Sequence, residues 1–332
     1  MIETIGDLVL ERGGVLRGAE LAYVTYGELA PDRDNAVLLT HGYTSSHLFA
    51  DPAASSDGGW GELVGPGRAI DTDRTFVISS NMLGSSYGST GPRSIDPASG
   101  RAYGPDFPVL TVGDIVAAQR RLIDRLGVRE LAAVIGPSYG GFQALAWGVA
   151  FPDLVRVLVP VVTAPRTGGA LDLDGLRRRL SADPGWNGGR CDAAAILGTM
   201  TAVRVETLVR YGMEAVMADR GMGQAERAAA LESMARDWAR SFDAQSLLVL
   251  GAAANEFDVT PLLSRIRAPV LFVLSATDAL FPPRLGPTVM AALRAAGVQA
   301  TYHEIDSRYG HLAPGLDAAR WAPVLARFLA PT

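Results

Sequence analysis

Residues 131–153, LAAVIGPSYGGFQALAWGVAFPD, decide the fold. Five mostly β-prone residues run into Gly136-Pro137-Ser138-Tyr139-Gly140-Gly141, and a helix-like run over 142–150 follows at once. A strand, a sharp turn and a helix in that order, with the turn reading G-x-S-x-G, set a serine on a strained corner at the carboxyl end of a strand. Glycines flank it because a side chain there would strike the neighbouring strand or helix. Ser138 is therefore the candidate nucleophile.

Outward from this turn, strands and helices alternate. Residues 20–26 (ELAYVTY) alternate as a half-buried strand, and 36–40 (AVLLT) and 75–79 read as buried strands. Residues 111–126 carry apolar positions near helical spacing, closed by Gly127, and 156–162 form a further strand. Strands separated by helices predict a mostly parallel sheet covered on both faces. From 171 to about 257 the sequence is helical with glycine and proline breaks; strand character resumes at 269–274 and 300–305, with helices at 285–296 and 317–329. The expected organisation is an α/β core over 1–164 and 265–332, interrupted by a helical lid insert over 165–264. Long loops at 51–67 and 84–108 suit a functional site.

Composition narrows the chemistry. No apolar run approaches the ~20 residues that cross a bilayer, and the start MIETIGDLVLERGG has neither a basic segment nor an apolar signal core, so the sequence predicts a cytoplasmic protein with no membrane partner. The net charge of −5 and the short Arg177-Arg178-Arg179 cluster argue against nucleic acid. Cys191 is the only cysteine, which excludes an intrachain disulfide and a cysteine zinc site. The chain has no lysine, hence no Schiff-base or P-loop lysine.

An activated serine needs a base and an orienting acid, which this architecture places after later strands in the order Ser, Asp or Glu, His. His311 lies in the loop after the last strand, and Asp278 follows the strand PVLFVL, with Asp306 the competing acid. His303, inside a predicted strand, reads as a packed core or surface imidazole. His41 and Gly42 follow the buried strand AVLLT, where the oxyanion loop belongs, so the backbone N–H groups of Tyr43 and Tyr139 are the candidate oxyanion donors. The spacing of His41 and His47 matches no standard metal pair, and no metal site is expected.

Several longer motifs now carry a resemblance. Gly59-Trp60 with Gly65-Pro66-Gly67, Ser80-Asn81-Met82-Leu83-Gly84, Gly88-Ser89-Thr90-Gly91-Pro92, Tyr103-Gly104-Pro105-Asp106-Phe107-Pro108 and GPSYGGFQALAW occur in one order. Together they resemble the homoserine O-acetyltransferase family of the α/β-hydrolase superfamily, densely over 20–163 and again at Phe242-Asp243-Ala244, 278–283 and 307–311. The resemblance implies an α/β-hydrolase fold, a Ser138, Asp278, His311 triad, a helical lid, an acetyl-enzyme intermediate, acetyl-CoA as donor and a homodimer. It also aligns Arg204 and Tyr211, seven apart and so on one helix face, with an arginine and a tyrosine that contact the substrate carboxylate.

Departures from the family pattern bear on substrate. Members usually carry, right after the catalytic histidine, an aspartate that holds the amino group of homoserine; here that position is Leu312. An apolar side chain cannot pair an ammonium in a closed pocket. Pro137 and Tyr139 stand where the family favours glycine and methionine, and the chain is shorter than usual members. Two outcomes for an acyl-serine stay open: water gives an esterase of short acyl esters, the favoured reading, and a bound alcohol gives an O-acyltransferase using acetyl-CoA or another acyl-CoA. A catalytically silent binding protein is the third reading, from a different class.

Overall fold

The computed structural model describes residues 1–53 and 58–330; the expected loop over 51–67 lies partly outside them. Among the described residues one sheet has eight strands: β1 (Ile2–Val9), β2 (Val15–Tyr26), β3 (Ala36–Thr40), β4 (Phe76–Ser80), β5 (Leu131–Pro137), β6 (Leu158–Val161), β7 (Val270–Ser275) and β8 (Ala300–Ile305). Their spatial order is β1-β2-β4-β3-β5-β6-β7-β8, and every pairing from β4 to β8 is parallel. β2 contains the strand expected over 20–26, whereas its antiparallel hairpin partner β1 has no counterpart among the expected strands. Two register shifts, between Thr4 and Gly6 and between Gly6 and Leu8, break the period of two by which β1 would be recognised.

The parallel strands read as unbroken apolar runs because each faces two cores. Along β3, Ala36 and Leu38 join one buried cluster while Val37 and Leu39 join the other; along β7, Val270, Phe272 and Leu274 part from Leu271 and Val273 in the same way. The larger core takes in α1 (Val112–Arg125) and α2 (Tyr139–Ala150). Helix α1 starts where it does because Thr111 and Asp114 form a capping box, and Asp114 also accepts from the Glu11 amide at 2.9 Å, tying the hairpin to the helix.

The insert leaves the core after β6 and returns before β7 at neighbouring points, where Arg166 and Asp258 form an isolated antiparallel bridge. It carries α3 (Leu173–Ser181), α4 (Leu197–Tyr211), α5 (Met213–Asp219), α6 (Gln224–Ala239) and α7 (Ala244–Asn255). Helices α4 to α6 build a small core of their own from Leu208, Met213, Val216, Met217, Leu231 and Ala235, joined by Leu312. Helix α7 instead sinks into the main core through Leu247, Leu250 and Ala254.

The C-terminal segment corrects one expectation. After α8 (Gly286–Ala295), residues 317–329 are not one helix: α9 (Ala313–Leu316) and a 3₁₀ turn Ala318–Arg320 precede α10 (Ala322–Leu329). Pro323 lacks the N–H that a continuous helix would need and is confined to the first turn of α10. Trp321, at the break, is buried and its indole N–H donates to the Pro314 carbonyl at 2.9 Å.

Glycines at the central turn are set by contact. A Cβ at Gly136 or Gly140 would run into the Thr40 backbone carbonyl, and one at Gly141 into the Thr163 side chain. Gly140→Ala should therefore destabilise by about 3 kcal/mol in urea unfolding. Gly198→Ala, where a Cβ would meet nothing within 4 Å, should be neutral or stabilising by less than about 1 kcal/mol. Equal effects of the two would refute the steric account.

Candidate active site

Ser138 sits between β5 and α2 with φ 57° and ψ −117°, a conformation that costs a non-glycine residue about 1–3 kcal/mol. Neighbours hold it there. Its N–H donates to the Val161 carbonyl at 2.8 Å, and its carbonyl accepts from the Gly141 amide at 2.9 Å and the Thr163 hydroxyl at 2.8 Å. The amino end of α2, with its partial positive charge, begins at the next residue.

Asp278 and His311 come from the loops after β7 and β8 and are both buried. His311 Nδ1 lies 2.8 Å from Asp278 Oδ2, which assigns the proton to Nδ1 as donor. Burial pushes the Asp278 carboxyl up, but the facing His311 and the amides of Leu280 and Phe281 outweigh it and hold the group below the usual carboxylate range. The rings of Tyr211 and Phe281 pack near the imidazole, with centroids at 4.9 Å and 5.9 Å. Its loop is fixed from behind: the Thr277 hydroxyl donates to Ser307 O at 2.9 Å and accepts from the Gly310 amide at 3.1 Å. Asp306 is fully exposed and lies 3.8 Å from Arg320, away from this pair.

A cavity of about 560 Å³ gathers most of the residues singled out from the sequence. Ser138, His311, Tyr43, Arg204, Tyr211 and Leu312 all line it. Asp278 lies behind His311, and Tyr139 is buried beside the elbow with its ring outside the lining. Among the described residues, neither the Tyr43 nor the Tyr139 amide has an acceptor in the protein. Arg204, 4% exposed, donates to the Thr44 hydroxyl at 2.7 Å and lies over the Trp238 ring at 5.0 Å. Leu312 is 5% exposed and packs into the insert's own core.

The other histidines have structural surroundings. His41 lies between Gly42 O and Asn81 Oδ1, each at 2.9 Å, and burial brings its pKa down to about 4. His47 is likewise lowered by burial to about 4, and His303 Nε2 is enclosed in β8. Among the described residues, no group of three His, Cys, Asp or Glu side chains could hold a metal ion. No described helix is long and apolar enough to cross a membrane.

Sequence reasoning missed the cavity wall supplied by α6. Met234, Asp237 and Trp238 all line it, and Trp238 holds the loop after β3 by donating to Thr44 O at 2.9 Å. The only signal was an aromatic on a helix otherwise rich in alanine and charged residues, and α6 lacks a strong apolar face to orient it. Asp237 is exposed and paired with Arg240 at 2.6 Å.

Known proteins resemble this chain in sequence and fold. A family model described as the alpha/beta hydrolase fold matches residues 35–317. The chain is 38% identical to the homoserine O-acetyltransferase of Geobacter sulfurreducens, over 98% of this chain and 95% of the relative. It is 37% identical to the homoserine O-succinyltransferase of Herminiimonas arsenicoxydans, over 97% and 91%. Among solved structures, esterase E22 superposes with a TM-score of 0.89 at 27% identity, covering 99% of each chain. The homoserine O-acetyltransferase of Bacillus anthracis gives 0.84 at 26%, covering 100% of this chain and 97% of the other. With a buried His–Asp pair, an elbow serine on one cavity and near full-length identity to acyltransferases, this chain belongs to the homoserine O-acetyltransferase family of the α/β-hydrolases, enzymes of acyl transfer.

Proposed function

We infer that the protein hydrolyses a short-chain, acetyl-type carboxylic ester through an acyl-serine intermediate. One observation carries the choice of water over an amino-alcohol acceptor. Leu312, apolar and buried, lines the cavity next to His311, where a carboxylate would be needed to hold an ammonium. A charge left unpaired in such a place costs several kcal/mol, so homoserine loses the anchor that would let it outcompete water.

In this reading His311 Nε2 takes the proton of Ser138 Oγ as the oxygen bonds to the ester carbonyl carbon. The carbonyl electron pair moves onto oxygen, and the oxyanion meets the amides of Tyr43 and Tyr139. Collapse of this tetrahedral species breaks the bond to the alkoxy group, which leaves as the alcohol with the proton from His311. Water then repeats the sequence on the acyl-serine and releases the acid. Asp278 accepts from Nδ1–H throughout; its depressed pKa keeps it charged, so it stabilises the imidazolium and fixes the tautomer.

A second reading has its own support. Arg204 is buried at the cavity wall, braced by Thr44 and Trp238, and suits a carboxylate-bearing acceptor; relatives at 38% identity are transferases. There the acyl group of an acyl-CoA passes through Ser138 to an alcohol instead of water.

With p-nitrophenyl acetate the native protein should show a burst and continue to turn over without any added alcohol; turnover strictly dependent on an acceptor would favour the transferase. Ser138→Ala should abolish the burst and lower kcat at least about 10³-fold, and Asp278→Asn should lower it by about 10³–10⁴-fold through the wrong tautomer. Retention of activity by either would sink the triad. Leu312→Asp should raise homoserine acetylation from acetyl-CoA, and an unchanged rate would count against the lost-anchor argument. Arg204→Ala should weaken turnover of carboxylate-bearing substrates more than neutral ones; equal losses would make it a bracing residue.

A further inference from the structure

The two residues whose amides are assigned above to the oxyanion are also joined to one another, and to the insert, through their side chains. The rings of Tyr43 and Tyr139 stack with centroids 6.0 Å apart and planes 9° from parallel. The Tyr139 hydroxyl donates to the Leu250 carbonyl at 3.1 Å, and the Tyr43 hydroxyl donates to the Leu247 carbonyl. Both acceptors lie on α7, three residues apart, a step of about 4.5 Å along the helix axis. One helix face thus offers two carbonyls at close to the spacing of two stacked rings. Each carbonyl oxygen has a second lone pair beyond its helical hydrogen bond.

The fit is tight on the helix side. A Cβ at Gly251 would stand 2.5 Å from Leu173 Cδ2 and 2.8 Å from the Tyr43 hydroxyl, so the helix can come this close to both only with glycine there. Burial raises the pKa of both phenols well above 10, which keeps them as neutral donors. The anchor is firm: α7 is buried along most of its length and capped by Asp243, which accepts from Ser246 N at 2.9 Å. From the opposite side the Gln143 amide lies 3.2 Å from His41 O and 3.3 Å from Tyr139 O, linking the oxyanion loop to the elbow.

We propose that Tyr43 and Tyr139 are paired positioning residues whose hydroxyls, hung on α7, fix the aim of the two backbone amides that meet the oxyanion. A pinned phenol is a lever on its own backbone, because the hydroxyl lies far from Cα and the ring between them is rigid. The insert is then a working part of the acyl-transfer site through its last helix. This inference rests on the acyl-serine reading above and concerns how its oxyanion donors are held.

Removing each hydroxyl alone tests it. In Tyr43→Phe and Tyr139→Phe the rings and their stacking remain, so the melting temperature should stay within about 3 °C. With p-nitrophenyl acetate, kcat should fall about tenfold in each variant with KM within about twofold, the mark of a loss felt only in the transition state. Affinity for a trifluoromethyl ketone, whose serine adduct carries the oxyanion, should weaken in parallel. Gly251→Ala crowds the Tyr43 hydroxyl from the helix side and should lower kcat similarly; in the Tyr43→Phe background, where only the contact with the flexible Leu173 side chain remains, most of that loss should disappear. A Ser138-dependent enzyme whose kcat ignores both hydroxyls and Gly251→Ala, or in which KM rises while kcat holds, overturns the clamp alone. Undiminished turnover in Ser138→Ala would instead overturn the acyl-serine reading beneath it.

Discussion

Thr40 is the point on which the site depends. Its hydroxyl donates to the Gly140 carbonyl at 2.8 Å, and its own carbonyl leaves no room for a Cβ at Gly136 or Gly140. The end of β3 and the turn after β5 are thereby pressed together with no side chain between them. That contact brings two otherwise separate segments, the loop at 41–44 and the elbow at 136–141, to one edge of the sheet. The positive φ of Ser138 is the local cost, and the bonds to Val161, Gly141 and Thr163 offset it.

Around this junction the molecule divides its tasks by element. Parallel strands with two apolar faces supply a stiff platform whose carboxyl ends carry Ser138, Asp278 and His311. The insert supplies the cover: α4 brings Arg204 and Tyr211, α6 brings Trp238, and the insert's core closes on Leu312. Leu312 therefore belongs to two structures at once. It is cavity wall beside His311 and packing for the insert, so a polar residue there would alter both the chemistry and the seating of the cover.

Much of the fold was legible because its signals are local. A buried parallel strand announces itself as an apolar run, and the elbow as glycines around a serine between a strand and a helix. The β1 strand was not legible, because its bulges shift the alternation that would reveal it. The unbroken helix expected over 317–329 failed for a similar reason: apolar spacing survives across Trp321 and Pro323 while the backbone does not continue.

The sequence by itself determined the architecture, the serine elbow and the order in which an acid and a histidine follow it, since each depends on residues near one another in the chain. Only the tertiary structure decided which acid the histidine meets, Asp278 and not Asp306, because that turns on the burial of one loop and the exposure of another. It alone also joined Tyr43 and Tyr139 to α7 and set Trp238 over Arg204, for these contacts link positions 34 to 204 residues apart, and no local pattern encodes a contact whose partner is chosen by packing.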